Sequence, residues 1–196
     1  MKKLLFTVLV GAGLVSMAQA QSTDKGKWLV GGQVAYDFKK VQDVDGNQQN
    51  YAILPQVGYF LNKDVAVGLG VGYAGNFQEN AAGIQSTAGE FVVAPFGRYY
   101  KGSESFKFFA QLAVPMAWGT QDVDGTEVGT SARYGAVLSP GIAYFPTSKV
   151  GIELSVKGLS YENQTLEPTS GTKATTNSFG LSADSYKPTL GVSFYF

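Results

Sequence analysis

Phe106-Lys-Phe-Phe-Ala-Gln-Leu-Ala-Val-Pro-Met-Ala-Trp118 decides the fold, because its side chains alternate in character. Apolar residues occupy every even position from Phe106 to Trp118, whereas the odd positions include Lys107, Gln111 and several small residues. A period of two residues predicts a β-strand with two unlike faces, not a helix.

The same alternation recurs along the chain. From Val65 to Tyr73, large apolar residues alternate with alanine and glycine, and residues 150–157 show a similar pattern. Related segments lie near residues 28–38, 51–61, 90–100, 132–145 and 179–196. The sequence therefore predicts an all-β chain of about eight strands.

The face opposite the bulky residues indicates what surrounds these strands. It carries Gly, Ala, Ser and Gln, and such small side chains suit the interior of a narrow barrel better than a solvated surface. The bulky uncharged face then points at lipid. These patterns predict a transmembrane, antiparallel, up-and-down β-barrel. The alternative is a secreted lipocalin-like barrel or sandwich.

A few isolated charges interrupt the small-residue face, and their signs nearly balance. They are Asp37, Glu90, Arg98, Lys107, Arg133, Glu153 and Lys157. Because buried charges need partners, we expect Arg98, Arg133, Glu153 and Lys157 to form a paired cluster in the barrel lumen.

Residues 1–20 have the features of a secretory signal peptide. Lys2 and Lys3 precede an apolar run that ends near Val15, and Ala18-Gln19-Ala20 matches the small-x-small pattern that signal peptidase requires. The apolar run is shorter than the ~20 residues of a spanning helix, which disfavours a transmembrane anchor. The predicted mature chain, residues 21–196, is long enough for one barrel domain.

Composition excludes several kinds of function. The chain has neither histidine nor cysteine, which excludes zinc sites of the usual type and the histidine-dependent mechanisms of familiar outer-membrane enzymes. Without Lys2 and Lys3 the 15 basic residues fall to 13, against 15 acidic ones, and no basic run suggests a nucleic-acid partner. A carboxylate-only hydrolase stays open, but no catalytic pair stands out, so we predict no enzyme and no cofactor.

The connections between strands alternate in predicted length. Short turns fall at residues 62–64, 101–105 and 146–149, and long polar loops fall near 39–50, 74–89, 119–131 and 162–178. Outer-membrane barrels have short periplasmic turns and long outer loops. An even number of strands places both termini on the periplasmic side.

A Pro-x-x-x-Tyr motif followed by a second aromatic precedes each short turn, and a related segment begins at Leu190. We expect one periplasmic girdle of aromatic residues at Tyr59, Tyr99, Tyr144 and Phe194. We expect an outer girdle at Tyr36, Tyr51, Tyr73, Phe91, Trp118 and Tyr134. The alternative, ordinary hairpin turn aromatics, explains one such motif better than four in register.

A Gln-Asp-Val-Asp-Gly sequence occurs twice, at 42–46 and 121–125, in two of the predicted long loops. Neither copy has the glycine and glutamate that an EF-hand calcium loop requires at its sixth and twelfth positions. Asp-Gly as a turn former is the preferred interpretation, and weak binding of calcium or of lipopolysaccharide-bridging cations stays open.

The repeated motif and the terminal Leu190-x-Val192-x-Phe194-x-Phe196 resemble the outer membrane protein beta-barrel domain family, which is similar to OmpX and to the membrane domain of OmpA. The resemblance spans residues 28–196. It implies an outer-membrane location, contact with outer-membrane lipid and lipopolysaccharide, and a terminal strand whose four alternating residues are read by the barrel-assembly machinery.

Two functions follow as hypotheses. The favoured one is a non-enzymatic, monomeric barrel that anchors surface loops and contributes to envelope structure or surface interaction. The second is a narrow porin for small solutes. Eight strands leave an interior that side chains just fill, which disfavours a wide channel, but the glycine-rich face of residues 65–73 leaves room for a water-lined slit.

Overall fold

A computed structural model describes residues 23–41, 46–181 and 189–196 of the chain. The predicted signal peptide and Gln42–Asp45 lie outside these residues. The described residues contain eleven strands and no helix: β1 (Trp28–Val41), β2 (Gly46–Phe60), β3 (Val65–Glu79), β4 (Gln85–Gly102), β5 (Phe106–Ala113), β6 (Met116–Val123), β7 (Thr126–Thr147), β8 (Val150–Ser155), β9 (Leu159–Pro168), β10 (Ala174–Leu181) and β11 (Thr189–Tyr195).

Six of these strands are consecutive segments of three longer barrel strands: β5 with β6, β8 with β9, and β10 with β11. Together with the other five strands they give eight barrel strands, called walls below. β5 and β6 lie between β4 and β7 and keep the same register across Val114-Pro115, where they are separated because proline lacks an amide hydrogen to donate. β8 and β9 both pair with β7, but the register shifts by one residue between them. β10 and β11 flank residues 182–188, which lie outside the described part of the chain.

The eight walls close into a ring. Each pairs antiparallel with its neighbours, and β1 pairs with β11 in the register Leu29↔Tyr195. Trp28 and Phe196 exchange both backbone hydrogen bonds at the end of this seam, each 2.9 Å long. The predicted all-β antiparallel architecture of eight strands is confirmed. Among the described residues, no helix is long and apolar enough to cross a membrane.

The two faces of the strands follow the predicted alternation. Along β5, the even-numbered residues are exposed on the outside of the ring, and Phe108 and Leu112 keep 61% and 52% of their surface. Lys107 and Phe109 alternate with them and are buried in the interior. A ring that exposes its large apolar residues and buries its charges is suited to a lipid environment.

The prediction of long polar loops is wrong, because the strands continue through most of the described residues assigned to those loops. β3 and β4 remain paired from Val65↔Tyr99 to Glu79↔Gln85, which leaves only residues 80–84 as a connection. The other described connections at this end are residues 124–125 and 169–173. A sheet that meets water on both faces satisfies its backbone through the ladder and needs no apolar alternation. Its polar sequence therefore resembles a loop.

The second Gln-Asp-Val-Asp-Gly copy forms the tightest of these turns. Asp124 and Gly125 both have positive φ, 48° and 76°, as a two-residue type I′ hairpin turn requires. Asp124 also accepts a hydrogen bond of 2.9 Å from the amide of Gln85 on the neighbouring hairpin. This geometry supports the turn-former interpretation. Among the described residues, no three acidic side chains are grouped so that they could hold a metal ion.

Candidate functional site

The interior at the short-turn end is filled by an aromatic plug, which consists of Phe60, Tyr100, Phe145 and Tyr195. Each is the second aromatic of one Tyr-aromatic repeat, or its counterpart in the last strand. Their rings meet across the lumen: the centroid of Phe60 lies 5.6 Å from Tyr100 and 6.1 Å from Tyr195, and Phe145 lies 5.1 Å from Tyr195. All four are buried, with at most 5% exposure.

The first aromatic of each repeat points the other way. Tyr59, Tyr99 and Tyr144 are exposed on the outside of the ring, and Tyr59 stacks edge-on against Trp28 at 5.2 Å. The sequence pattern assigned these first aromatics to the periplasmic girdle, but it did not predict that the second aromatics fill the lumen. The signal was present, because two aromatics in succession on a strand must face opposite sides.

A buried ion pair between Arg98 and Glu153 lies directly on the plug. Nη1 of Arg98 is 2.8 Å from Oε2 of Glu153, and the two side chains are 1% and 7% exposed. Tyr195 donates to the carboxylate at 2.7 Å, and Arg98 donates at 2.8 Å to the hydroxyl of Tyr100. The guanidinium also donates to Gln111 at 2.7 Å. The guanidinium and the carboxylate therefore each have the hydrogen-bonded partners that a buried charge needs.

Arg133 belongs to a second and separate group. Its guanidinium lies between two carboxylates, 2.5 Å from Glu90 and 3.1 Å from Glu162. Ser131 donates a further hydrogen bond to Glu90 at 3.2 Å. About a third of the Arg133 side chain is exposed, so this group is wetter than the Arg98–Glu153 pair.

The structure brings the predicted lumen charges together only in part. Arg98 joins Glu153, whereas Arg133 joins Glu90 and Glu162, which are not members of the predicted four-residue cluster. Lys157 is a correction: it is exposed, it lies in the break between β8 and β9, and it forms no ion pair with a described residue. The one-residue register shift there ends the alternation on which the prediction depended. The side chain of Asp37 lies outside what the structure describes.

The glycine-rich face of β3 is filled by neighbouring side chains. A Cβ on Gly68 would lie 2.5 Å from Cζ of Phe96, and one on Gly70 would lie 3.4 Å from Cγ of Leu54. Phe96 is 6% exposed. Gly68 and Gly70 therefore make room for large side chains inside a narrow ring, and those side chains occupy the space over these two glycines.

Beyond the ion pair, the interior opens into a polar cavity of about 930 Å³, here called the vestibule. Its inward side chains include the Arg133 group and the amides of Asn50, Asn76, Gln121 and Gln164. Nδ2 of Asn76 donates to Oδ1 of Asn50 at 2.5 Å. The vestibule is open towards the long hairpins and closed below by the ion pair and the plug.

The terminal strand presents the four predicted assembly-signal residues on its outer face. Leu190, Val192 and Phe196 are 64%, 42% and 60% exposed, and Phe194 follows the same alternation. Ser193 and Tyr195, between them, are buried inside the ring.

Comparison with known proteins gives this barrel a family. A family model for the outer membrane protein beta-barrel domain matches residues 7–194. The chain belongs to this family. Membership makes it an outer-membrane beta-barrel protein.

Two solved outer-membrane structures share the fold of this family member. Neisserial surface protein A (NspA) superposes with a TM-score of 0.54 at 14% identity, over 88% of this chain and 100% of that chain. The outer membrane protein OprG from Pseudomonas aeruginosa gives a TM-score of 0.51 at 13% identity, over 90% and 98%. No curated protein sequence matches the chain.

Proposed function

We propose that this protein is a closed, non-enzymatic barrel that anchors β-hairpins at the cell surface and contributes to envelope structure or surface interaction. In this proposal it is exported by its signal peptide, inserted by the barrel-assembly machinery, and surrounded as a monomer by outer-membrane lipid and lipopolysaccharide.

Closure of the lumen is the observation that carries the proposal. The aromatic plug and the Arg98–Glu153 pair lie in series, and their side chains are at most 7% exposed. An ion that crosses the barrel would have to separate a hydrogen-bonded charge pair and displace packed rings. The narrow-porin hypothesis needs a continuous water path, and these two layers interrupt it.

The hairpins supply the surface that such a barrel would display. Thr126 to Tyr134 on β7 is eight residue steps, or ~26 Å along the strand, beyond the level of the outer girdle. Neighbouring hairpins pair with one another along β4, β6, β7 and β9, so they form a continuous sheet. A sheet held in this way offers a rigid surface, unlike a set of independent loops.

The carboxylates of the interior support a non-enzymatic role. Glu153 is bound by Arg98 and Tyr195, and Glu90 and Glu162 are both bound by Arg133. A general acid or base must be available to a substrate proton. These groups are engaged as structural partners.

Single-channel recording in planar bilayers tests the closed lumen. We expect the wild-type barrel to give no conductance steps, and the Phe60→Ala/Tyr100→Ala variant to give them, because two rings of the plug are removed. Tyr59→Ala/Tyr99→Ala is the matched control, since it removes the preceding aromatics from the lipid side. Steady small-solute conductance by the wild type would favour the porin.

A further inference from the structure

A shallow groove lies on the outer surface of the barrel, on the side away from the lumen. It has a volume of about 290 Å³ and is called here the outer groove. It is formed by Trp118, Thr130, Ala132, Thr165, Glu167 and Lys173.

The strand register explains its shape. Ala132 on β7 pairs with Trp118 on β6 and with Thr165 on β9, so a methyl group forms the floor between two larger walls. Thr130 lies two residues farther out on the same face of β7 and pairs with Glu167. The ammonium of Lys173 lies 3.3 Å from the Glu167 carboxylate and completes the rim.

The height of the groove identifies its surroundings. Trp118 pairs with Phe91, and both belong to the outer girdle, where aromatic residues mark the boundary between acyl chains and headgroups. Thr130 lies ~6.6 Å along the strand beyond Ala132, or ~5 Å vertically at a tilt of ~40°. The hydroxyl groups therefore lie at the level of the outer-leaflet headgroups.

We propose that the outer groove binds the phosphorylated sugar headgroup of an outer-leaflet glycolipid, the lipid A part of lipopolysaccharide. This proposal rests on the proposed orientation and surface role, and it names a specific lipid site on the barrel. It does not depend on whether the lumen conducts.

The chemistry of the walls fits a sugar phosphate. The indole of Trp118 is 51% exposed, and its negative π face suits the C–H bonds on the flat face of a sugar ring. Thr130 and Thr165 can donate to and accept from sugar hydroxyls, and the hydroxyl of Thr165 already lies 3.2 Å from that of Thr175. A phosphate has a cation within reach in Lys173.

The rim ion pair leaves Lys173 able to exchange partners. Lys173 and Glu167 are 60% and 62% exposed, and pairs this exposed are held weakly. A phosphate can therefore replace Glu167 at the ammonium with little loss. A phospholipid has a phosphate but lacks the sugar ring for the indole and the hydroxyl groups, so the groove is expected to prefer the glycolipid.

The test uses Trp118 as the reporter on the full folded barrel in detergent. Trp28→Phe leaves Trp118 as the sole tryptophan of the chain. We expect added lipid A to shift the Trp118 emission with saturation, and phosphatidylglycerol to need at least a five-fold higher mole fraction. Two combinations should bind about equally weakly: the wild-type groove with lipid A that lacks its phosphates, and the Lys173→Gln variant with intact lipid A.

Three variants locate the site. Ala132→Leu fills the floor, and Thr165→Val removes a hydroxyl at constant shape; both should raise the half-saturating lipid A fraction at least five-fold. Ala136→Leu, also outward on β7 but nearer the membrane centre, is the control and should leave it unchanged. Heat-modifiability on gels confirms that each variant is folded.

Equal response to lipid A and phosphatidylglycerol would overturn the proposal, as would normal binding by both Ala132→Leu and Thr165→Val. Either result leaves the closed lumen intact, because conductance does not involve the outward face. Conversely, a conducting wild type that still binds lipid A through this groove would overturn only the closed barrel.

Discussion

The tyrosines at the bottom of the lumen have two roles. Tyr100 and Tyr195 contribute rings to the aromatic plug, and their hydroxyls contact the Arg98–Glu153 pair above it. The two hydroxyls are also 3.2 Å from each other. The apolar and ionic layers are therefore one unit, and the burial of the charges depends on the position of the rings.

The sequence showed which side chains point inward, but not which of them meet. Arg98 and Glu153 come from β4 and β8, which are not neighbours in the ring, so their contact crosses the lumen. Such a pairing depends on the stagger of the closed barrel, and alternation along one strand carries no information about it. Lys157 was misplaced for a local reason, since a one-residue shift after Ser155 reverses the faces.

Removing one partner of the buried pair should be costly. We expect Arg98→Ala to lower the free energy of unfolding by about 3–5 kcal/mol, because it leaves Glu153 as an uncompensated buried charge. The Arg98→Met/Glu153→Leu double variant should recover most of this loss. Urea unfolding followed by tryptophan fluorescence measures both.

Arg133→Ala serves as the control for the buried pair. Arg133 is about one-third exposed, and its partners Glu90 and Glu162 are 17% and 32% exposed, so the loss should be clearly smaller than for Arg98→Ala. Similar losses for Arg98→Ala and Arg133→Ala would contradict the assignment of Arg98 to a dry interior.

At the scale of the strands, periodicity predicted the membrane-embedded parts well and the outer parts poorly. Where one face meets lipid and the other meets a packed lumen, each residue must suit its side, and β5 shows this directly. Beyond the outer girdle both faces meet water, so the selection for alternation disappears while the backbone ladder continues. β3, β4 and β7 therefore extend farther than their sequences indicate.

Adjacent residues on β8 test the inside–outside assignment. Leu154 is exposed on the lipid face, and Leu154→Arg should cost about 2–4 kcal/mol of unfolding free energy, as should Leu112→Arg on β5. Ser155→Arg should cost less, because Ser155 faces inward beside Thr189, which lines the polar vestibule. Vesicle-based unfolding titrations give the values.

Gln111 is unsuitable as a second inward control, because it accepts a hydrogen bond from Arg98 and an arginine there would oppose it. Equal penalties at residues 154 and 155 would show that the register of β8 is wrong.

At the scale of the whole molecule, closure replaces the core that other small domains build from apolar residues or disulfides. The chain has no cysteine, and its buried cluster is confined to the short-turn half of the lumen. Over the five residue pairs from Leu29↔Tyr195 to Gln33↔Gly191, the β1–β11 seam leaves no unpaired strand edge. The seam is therefore where the first and last elements of the chain must find each other.

Deletion of Phe196 separates what this seam contributes to stability from what it contributes to assembly. The deletion removes two terminal hydrogen bonds with Trp28, each with a net value of about 0.5–1.5 kcal/mol, and one exposed ring. Folding from urea into detergent, which needs no cellular machinery, should lose little yield. Insertion in cells should fall sharply, because the terminal aromatic is the feature that the assembly machinery is expected to recognise.

Phe196→Tyr keeps an aromatic ring and should restore insertion. If the truncated protein reached the outer membrane at the wild-type level, the role of Phe196 would be limited to its two backbone hydrogen bonds with Trp28.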